Sequence, residues 1–403
     1  MKMPPIRILF VVCAIDVLGF GMVIPLVPYM GTRFGVRPEL ITAVLGSYSL
    51  CQFLSAPLWG RLSDRYGRRP ILMSSLAGAC LSYGLLAIAN NLWLLFASRI
   101  LAGLMAGNLA AAFAYASDVS APEQRARSMG MVGAAIGIGF MLGMPIGGAL
   151  AGESAVTANF TRPALVSAAL SILAICLVRW ALPETRDLRA VVAAPRRGPR
   201  PLRLLAERPA LRSVSSAAFL ITCSQGVLES IFAIWALARF GFGPRTVGLA
   251  LFGIALLMVL MQGRWVRVLA PRFGESRLGA AGGLAYTAGL GMVACAGHNE
   301  FLVAAGLALC GLGMGAFNPS ASSLASRQSL PDDRGAVMGT YQASTSLARA
   351  VGPFVSGPIY AALGANAPFI AGALIALPAA WLLWRLRGLT TPSEFRRSTL
   401  PDR

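Results

Sequence analysis

The sequence predicts an all-α integral membrane protein with twelve transmembrane helices in two pseudo-symmetric six-helix halves. Three observations carry this. Of 403 residues, 56% are hydrophobic and only 13% charged, with a mean hydropathy of +0.67. A soluble domain carries about 25% charged residues, so there is too little charge here to cover a water-facing surface. Apolar runs near the roughly 20 residues that a spanning helix needs recur at 6–30, 40–59, 71–89, 92–117, 126–152, 161–182, 211–238, 246–270, 277–297, 300–324, 334–363 and 366–386. The halves also repeat. Arg33-Phe34-Gly35 before Pro38 matches Arg239-Phe240-Gly241 before Pro244, and Gly67 matches Gly274. Pro122-Glu123-Gln124-Arg125 followed by Met129-Gly130 matches Pro331-Asp332-Asp333-Arg334 followed by Met338-Gly339. Two such halves with a substrate held between them form a transporter architecture.

Each span is justified by what flanks it. The first, from Met1 to Met30, reads as a span and not as a leader. Its apolar stretch is long, Asp16 interrupts it, and no small-x-small site follows. Basic residues set the orientation, because Lys and Arg collect in cytoplasmic loops. Alternating loops hold 28 basic residues on one side and five on the other, Arg33, Arg37, Arg162, Arg239 and Arg245. Both termini and the 60–70 segment are therefore expected in the cytoplasm. A net charge of +19 in a soluble chain would suggest nucleic acid; here the charge lies in loops, and no nucleic-acid partner is expected. The predicted domains are 1–182, a cytoplasmic Arg/Pro-rich linker at 183–209 without apolar periodicity, 210–388, and a tail at 389–403.

Several motifs are excluded. Gly137-Ile138-Gly139 and Gly311-Leu312-Gly313 lie inside apolar runs with no strand before them, so neither is a nucleotide loop. There is no P-loop lysine motif. The seven cysteines sit in or beside apolar runs without metal or disulfide spacing. No cofactor, metal site or enzyme activity is expected.

Ionisable residues inside spans are the candidate site. Asp16 in the first span costs about 2.5–3.5 kcal/mol on insertion scales. Burial disfavours the charged form of a carboxyl, which suits a proton carrier; a structural hydrogen-bond partner is the alternative. Glu229 in span seven shares a stripe with Thr222 and Gln225 at i, i+3 and i+7. It reads as a cavity acid for cationic substrate or protons, or as one half of a buried pair with Arg349. Arg99 in span four needs an acid or several carbonyls; it reads as tuning a carboxylate or relaying protonation to the helix bundle, or as structural pairing. Asn108 is nine residues further on, half a turn around an ideal helix, and is not expected to share its site. Stripes containing Gln52, Ser55 and Trp59 (span two), Gly311, Gly315 and Asn318 (span ten), and Gln342 and Arg349 (span eleven) suggest a polar cavity. Gly139, Gly143 and Gly147 recur at i, i+4 and i+8, a spacing that lets membrane helices approach closely, and Pro145 bends the same helix. They read either as a moving seam or as ordinary tight packing.

These stretches resemble the major facilitator superfamily over nearly the whole chain. Gly60, Leu62, Asp64, Arg65, Gly67, Arg68 and Arg69 fill every position of its G-x-L-x-D-R-x-G-R-(R/K) loop between helices two and three. Arg99, with Gly103 four residues on, looks like the arginine of helix four. Gly139, Gly143, Pro145, Gly147 and Gly148 are similar to the G-x-x-x-G-x-P-x-G-G signature of helix five, associated with proton-driven exporters. Asp16 with Gly19-Phe20-Gly21, Pro25 and Pro28 is similar to helix one of the tetracycline and multidrug exporters. The resemblance departs from tetracycline exporters at Cys80-Leu81-Ser82-Tyr83 and Ala285-Tyr286-Thr287, where those proteins carry acids, and so points away from tetracycline itself.

The resemblance implies a proton-coupled exporter of small hydrophobic or cationic compounds, monomeric in the inner membrane. It also implies a cytoplasmic latch between Asp64–Arg65 and the start of span eleven near Asp332–Arg334. An uptake symporter for a metabolite is the alternative, against which the helix-five motif argues. A non-transporting sensor or scaffold is a remote one.

Overall fold

The computed structural model describes residues 4–121, 124–184, 201–330 and 333–388. Asp332, the centre of the Arg/Pro-rich linker and the predicted tail lie outside these residues. The first span is α1 (Pro5–Val23) and α2 (Val27–Arg33), joined by a tight 3₁₀ turn around Pro25. There follow α3 (Pro38–Tyr66), α4 (Arg68–Ala87), α5 (Leu92–Leu104) and α6 (Asn108–Asp118). Next come α7 (Arg125–Ala151), α8 (Thr161–Ala181) and a short α9 (Pro201–Glu207). The second series is α10 (Pro209–Phe240), α11 (Pro244–Leu260), α12 (Val266–Phe273), α13 (Glu275–Cys295), α14 (Glu300–Arg327), α15 (Arg334–Leu363) and α16 (Ala367–Arg385). A π-helical turn at Met261–Trp265 links α11 to α12. No strand occurs among the described residues.

Among the described residues, eleven spans are long and apolar enough to cross a membrane. The twelfth, α15, has the length, but Gln342, Ser344, Thr345, Ser346 and Arg349 lower its hydropathy. Leu54, Leu81 and Leu374 are 63–65% exposed. Exposed apolar surface on this scale is a liability in water and is what a bilayer requires.

The sequence repeat is visible in the backbone. Gly35 and Gly241 have φ of +67° and +69°, and Gly67 and Gly274 have +97° and +81°. Left-handed backbone of this kind favours glycine, so these matched positions hold it for the same reason.

Contacts divide the described residues into two compact units. The first comprises residues up to 184 together with Ile231–Phe252, and the second comprises the stretch from 201 to Ser230 together with residues from Gly253 onward. The C-terminal end of α10 and the start of α11 thus pack within the first unit. Its apolar core gathers Leu9, Cys13, Leu76, Tyr115, Ala135 and Val178 from five spans.

One part of the expected linker is ordered. In the second unit, α9 buries Leu204. Arg208 donates to the carbonyl of Gln328 at 2.7 Å and pairs with Asp333, which also accepts from the Leu330 N–H at 2.7 Å. Apolar periodicity is not detectable in seven residues; the buried Leu204 and the ion pair of Arg208, just after the helix, hold it. Partial burial pushes the Asp333 carboxyl up, but the hydrogen bonds from Arg208 and Leu330 and the charge of Arg208 carry it below the usual carboxylate range. A depressed folded-state pKa stabilises above the unfolded value, about 3.9, and the contribution is lost as pH falls through the folded value. Hydrogen exchange of the α9 amides, corrected for intrinsic rate, should therefore accelerate below about pH 4. Asp333→Asn should remove that pH step.

Candidate functional site

Asp16 is buried in the middle of α1, at 7% exposure. Its carboxylate accepts a hydrogen bond from the side-chain amide of Asn108. The fourth span makes this possible because it breaks between α5 and α6, at 105–107. A break leaves orphan backbone groups, and neighbouring spans satisfy them. Ser55 Oγ donates to Gly103 O at 3.2 Å, and Trp59 Nε1 donates to Leu104 O at 2.6 Å. Ser75 Oγ donates to Met105 O and accepts from the N–H groups of Gly107 (3.1 Å) and Asn108 (3.0 Å). The break resets the helical phase before α6, and Asn108 meets Asp16, a partner the ideal-helix arithmetic did not consider. Ser55 and Trp59, read from sequence as cavity stripe, serve the break instead.

Arg99 in α5 is 2% exposed. Its Nε reaches Ser98 Oγ at 3.4 Å, and its Nη2 has no hydrogen-bond partner. Tyr48 and Tyr83 lie within electrostatic range of the guanidinium, and Tyr83 is within range of Asp16 as well. Gln52 donates to the Tyr48 hydroxyl at 3.4 Å, and the Tyr48 ring lies against Phe20 with centroids 4.8 Å apart.

In the second unit, Gln225 donates to Glu229 Oε1 at 2.7 Å, one turn along α10. Arg349 and the buried Tyr286 are within electrostatic range of Glu229. No ion pair between Glu229 and Arg349 forms among the described residues, and Arg349 is exposed. Gln342 is also exposed and Asn318 half-buried. Gly311 and Gly315 pack against Ile254 and Met258 of α11, so that part of the span-ten stripe is helix packing.

The glycines of α7 form a close crossing with α1. A Cβ on Gly139 would lie 2.5 Å from Ala14 O, one on Gly143 would meet Leu18 O and lie 2.9 Å from Gly21 Cα, and one on Gly147 would run into Met22 O. Gly148, next to Gly147, faces Pro244 O of α11 in the same way at 2.5 Å. The second unit repeats the crossing at Gly352, whose Cβ would lie 2.5 Å from Cys223 O and 2.9 Å from Gly226 Cα. A serine–glycine bond accompanies each crossing with its donor exchanged. Ser167 of α8 donates to Gly19 O of α1 at 2.9 Å, whereas Ser224 of α10 donates to Gly372 O of α16 at 2.7 Å.

The 60–70 stretch is almost wholly helical. Its expected loop shrinks to Gly67, with α3 running to Tyr66 and α4 starting at Arg68. Arg68 donates to Asp64 (2.9 Å), Ser63 (3.0 Å) and Asp118 (3.0 Å). Arg69 donates to Val178 O at 3.2 Å and to Arg179 O. Arg65 lies over the Tyr66 ring, 5.3 Å from its centroid, and Gly60 faces open space. The N-terminus of α4 is closed by Glu184, whose two carboxylate oxygens accept the Arg68 and Arg69 N–H groups at 3.0 and 3.1 Å. A carboxylate there also meets the positive end of the helix dipole. A Cβ on Gly67 would lie 2.7 Å from Glu184 Oε2. Gly67→Ala should therefore lower stability by more than about 1 kcal/mol, through both backbone strain and displacement of Glu184. Gly274→Ala, at a similar φ but with nothing within 4 Å, should incur the strain alone. Thermal unfolding in detergent would compare the two.

Residues 9–266 and 214–401 both match the model of the Major Facilitator Superfamily. The chain belongs to the major facilitator superfamily. Within it, the chain is 32% identical to the class C tetracycline resistance protein of Escherichia coli, over 91% of this chain and 93% of that one. It is 29% identical to major facilitator superfamily domain-containing protein 10 of Bos taurus, over 93% and 91%. Among solved structures, the human organic anion transporter MFSD10 matches with a TM-score of 0.70 and 26% identity, over 94% of this chain and all of that one. The protein is a multi-pass membrane transporter of this superfamily, whose members carry small molecules.

Two features of this superfamily member were not read from its sequence as site residues. Tyr83 and Tyr286, singled out only for not being acidic, are buried in α4 and α13, within electrostatic range of Asp16 and Glu229 respectively. Glu184 was absorbed into the linker, although its place just after the sixth span was a usable signal.

Proposed function

We propose that this protein is a proton-coupled exporter of small hydrophobic or cationic compounds, monomeric in the inner membrane with both termini cytoplasmic, and working by alternating access. The observation that supports it most is Asp16, a carboxyl buried within a spanning helix whose side-chain partner is the neutral amide of Asn108 and which has no ion-pair partner among the described residues. A carboxyl held by an amide can change protonation without breaking an ion pair. Exchange of one proton there, with Glu229 as a second acid, alters the cost of opening the surrounding helices. The α1–α7 glycine crossing supplies a backbone-to-backbone surface on which such a change can act. The tetracycline resistance relatives favour outward over inward transport.

The test uses sealed vesicles holding the full chain, an imposed pH gradient, and a panel of fluorescent cationic dyes and antibiotics. Gradient-driven movement of at least one compound, abolished by a protonophore, is expected. Movement that persists unchanged after the gradient is collapsed would sink proton coupling.

A further inference from the structure

The second unit has a corner with surplus positive charge, where α13 begins and α16 ends. Trp381 and Trp384 of α16 are 55% and 43% exposed. Arg385 lies over the Trp381 ring, 4.6 Å from its centroid, and Arg387 over the Trp384 ring at 4.7 Å. Stacking on an indole face holds a guanidinium flat and leaves its in-plane N–H donors available. Beside them, Ser276 of α13 donates to Leu383 O of α16. That bond sets Arg277 and Trp384, the exposed residues that follow each partner, at one level. The 3₁₀ turn Leu386–Gly388, which carries Arg387, also touches α13.

The fold of this corner does not use these arginines. At the matching corner of the first half, Arg68 is bonded to Asp64 and Asp118, and Arg69 to Val178 O and Arg179 O. In register with the Gly67/Gly274 and Pro122/Pro331 matches, Arg68 corresponds to Glu275 and Asp118 to Arg327. Glu275 Oε1 accepts from Arg327 at 2.9 Å and from Ser323 at 2.8 Å. The second half thus closes its corner with the same ion pair, signs exchanged, and the only acid there is engaged by α14. Arg277, Arg385 and Arg387 have no ion pair among the described residues.

We propose that this corner is a binding site for an anionic glycerophospholipid. Arg385 and Arg387, with Arg277 at their level, receive the phosphate, since a guanidinium fork matches two phosphate oxygens. An acyl chain lies along the exposed apolar stripe that continues down α16 from Trp381 through Leu377 and Leu374. Charge above and apolar surface below is the pattern of a lipid and not of a free anion. Tryptophan and arginine at a membrane boundary suit an anionic head group. The site is independent of what the protein transports. With the termini cytoplasmic, the lipid belongs to the inner leaflet.

Thermal unfolding of the full chain in an uncharged detergent is followed with phosphatidylglycerol, phosphatidylcholine of the same acyl chains, and inorganic phosphate, at constant ionic strength. Phosphatidylglycerol should raise the midpoint in a saturable way and the other two should not, a comparison that needs no variant. Phosphatidylglycerol brominated in its acyl chains should also quench tryptophan fluorescence more than brominated phosphatidylcholine does. The triple variant Arg277→Gln, Arg385→Gln, Arg387→Gln should weaken phosphatidylglycerol by about tenfold or more. Its midpoint without lipid should match the parent's, because no ion pair is lost. A control triple, Arg125→Gln, Arg127→Gln, Arg212→Gln, removes the same charge from exposed arginines elsewhere and should leave the phosphatidylglycerol response intact. An equal response to phosphatidylcholine or to inorganic phosphate would overturn the proposal, and so would equal weakening by the two triple variants.

Discussion

Gly143→Leu should prevent α1 from seating on α7, with a loss of stability of about 3 kcal/mol or more. The added side chain would start inside the space of Leu18 O and Gly21 Cα, which are backbone atoms with no rotamer to change. Backbone can yield only by separating the two helices, and α1 carries Asp16. The same helix supplies its own control. Gly133 and Gly137 have nothing within 4 Å of an added Cβ, so Gly137→Ala should be neutral or stabilising by about 0.5–1 kcal/mol, the helix-propensity difference. Thermal unfolding and monodispersity in detergent separate the two. Equal tolerance at 137 and 143 would show that the crossing is loose.

The second large effect concerns Asp16 and its partner. Asp16→Asn should leave the fold intact, since asparagine can still accept the Asn108 amide through its carbonyl oxygen. Export driven by a pH gradient should fall to that of vesicles without protein. Asn108→Leu does the reverse experiment: it keeps the acid and removes the donor. A buried polar group left without its partner costs about 1–3 kcal/mol, so this variant should be less stable than the parent while retaining pH-dependent transport. Full gradient-driven export by Asp16→Asn would remove Asp16 from the coupling step and leave Glu229 to carry it.

Much of the fold was legible because membrane spans are written in composition and length. The paired Gly35/Gly241 and Gly67/Gly274 were legible because both halves need left-handed backbone at the same corners. α15 was read as a span from its apolar run at 334–363, although its polar residues keep it out of the eleven most apolar spans. The site was less legible. The Thr222, Gln225, Glu229 stripe was sound because α10 is continuous, and Gln225 does bond Glu229. The Asn108 bond to Asp16 was not legible, because the helix breaks before it and the stabilisers of the break, Ser55, Trp59 and Ser75, lie on two other spans. Gly103 and Gly107 on either side of Met105 were the local hint. The latch role expected of Asp64 rested on resemblance. The structure pairs Asp64 with Arg68, and Asp64→Asn should slow transport with folding retained if the motif moves during turnover.

The break at 105–107 also has an evolutionary reading. Because α5 and α6 are hinged on side-chain hydrogen bonds and not on one continuous ladder, the angular setting of everything after residue 107 is independent of Arg99. Deleting a single residue in the break would swing Asn108 by about 100° while leaving the guanidinium where it is. Mutation in the break can therefore change the partner of the Asp16 carboxyl without disturbing the arginine.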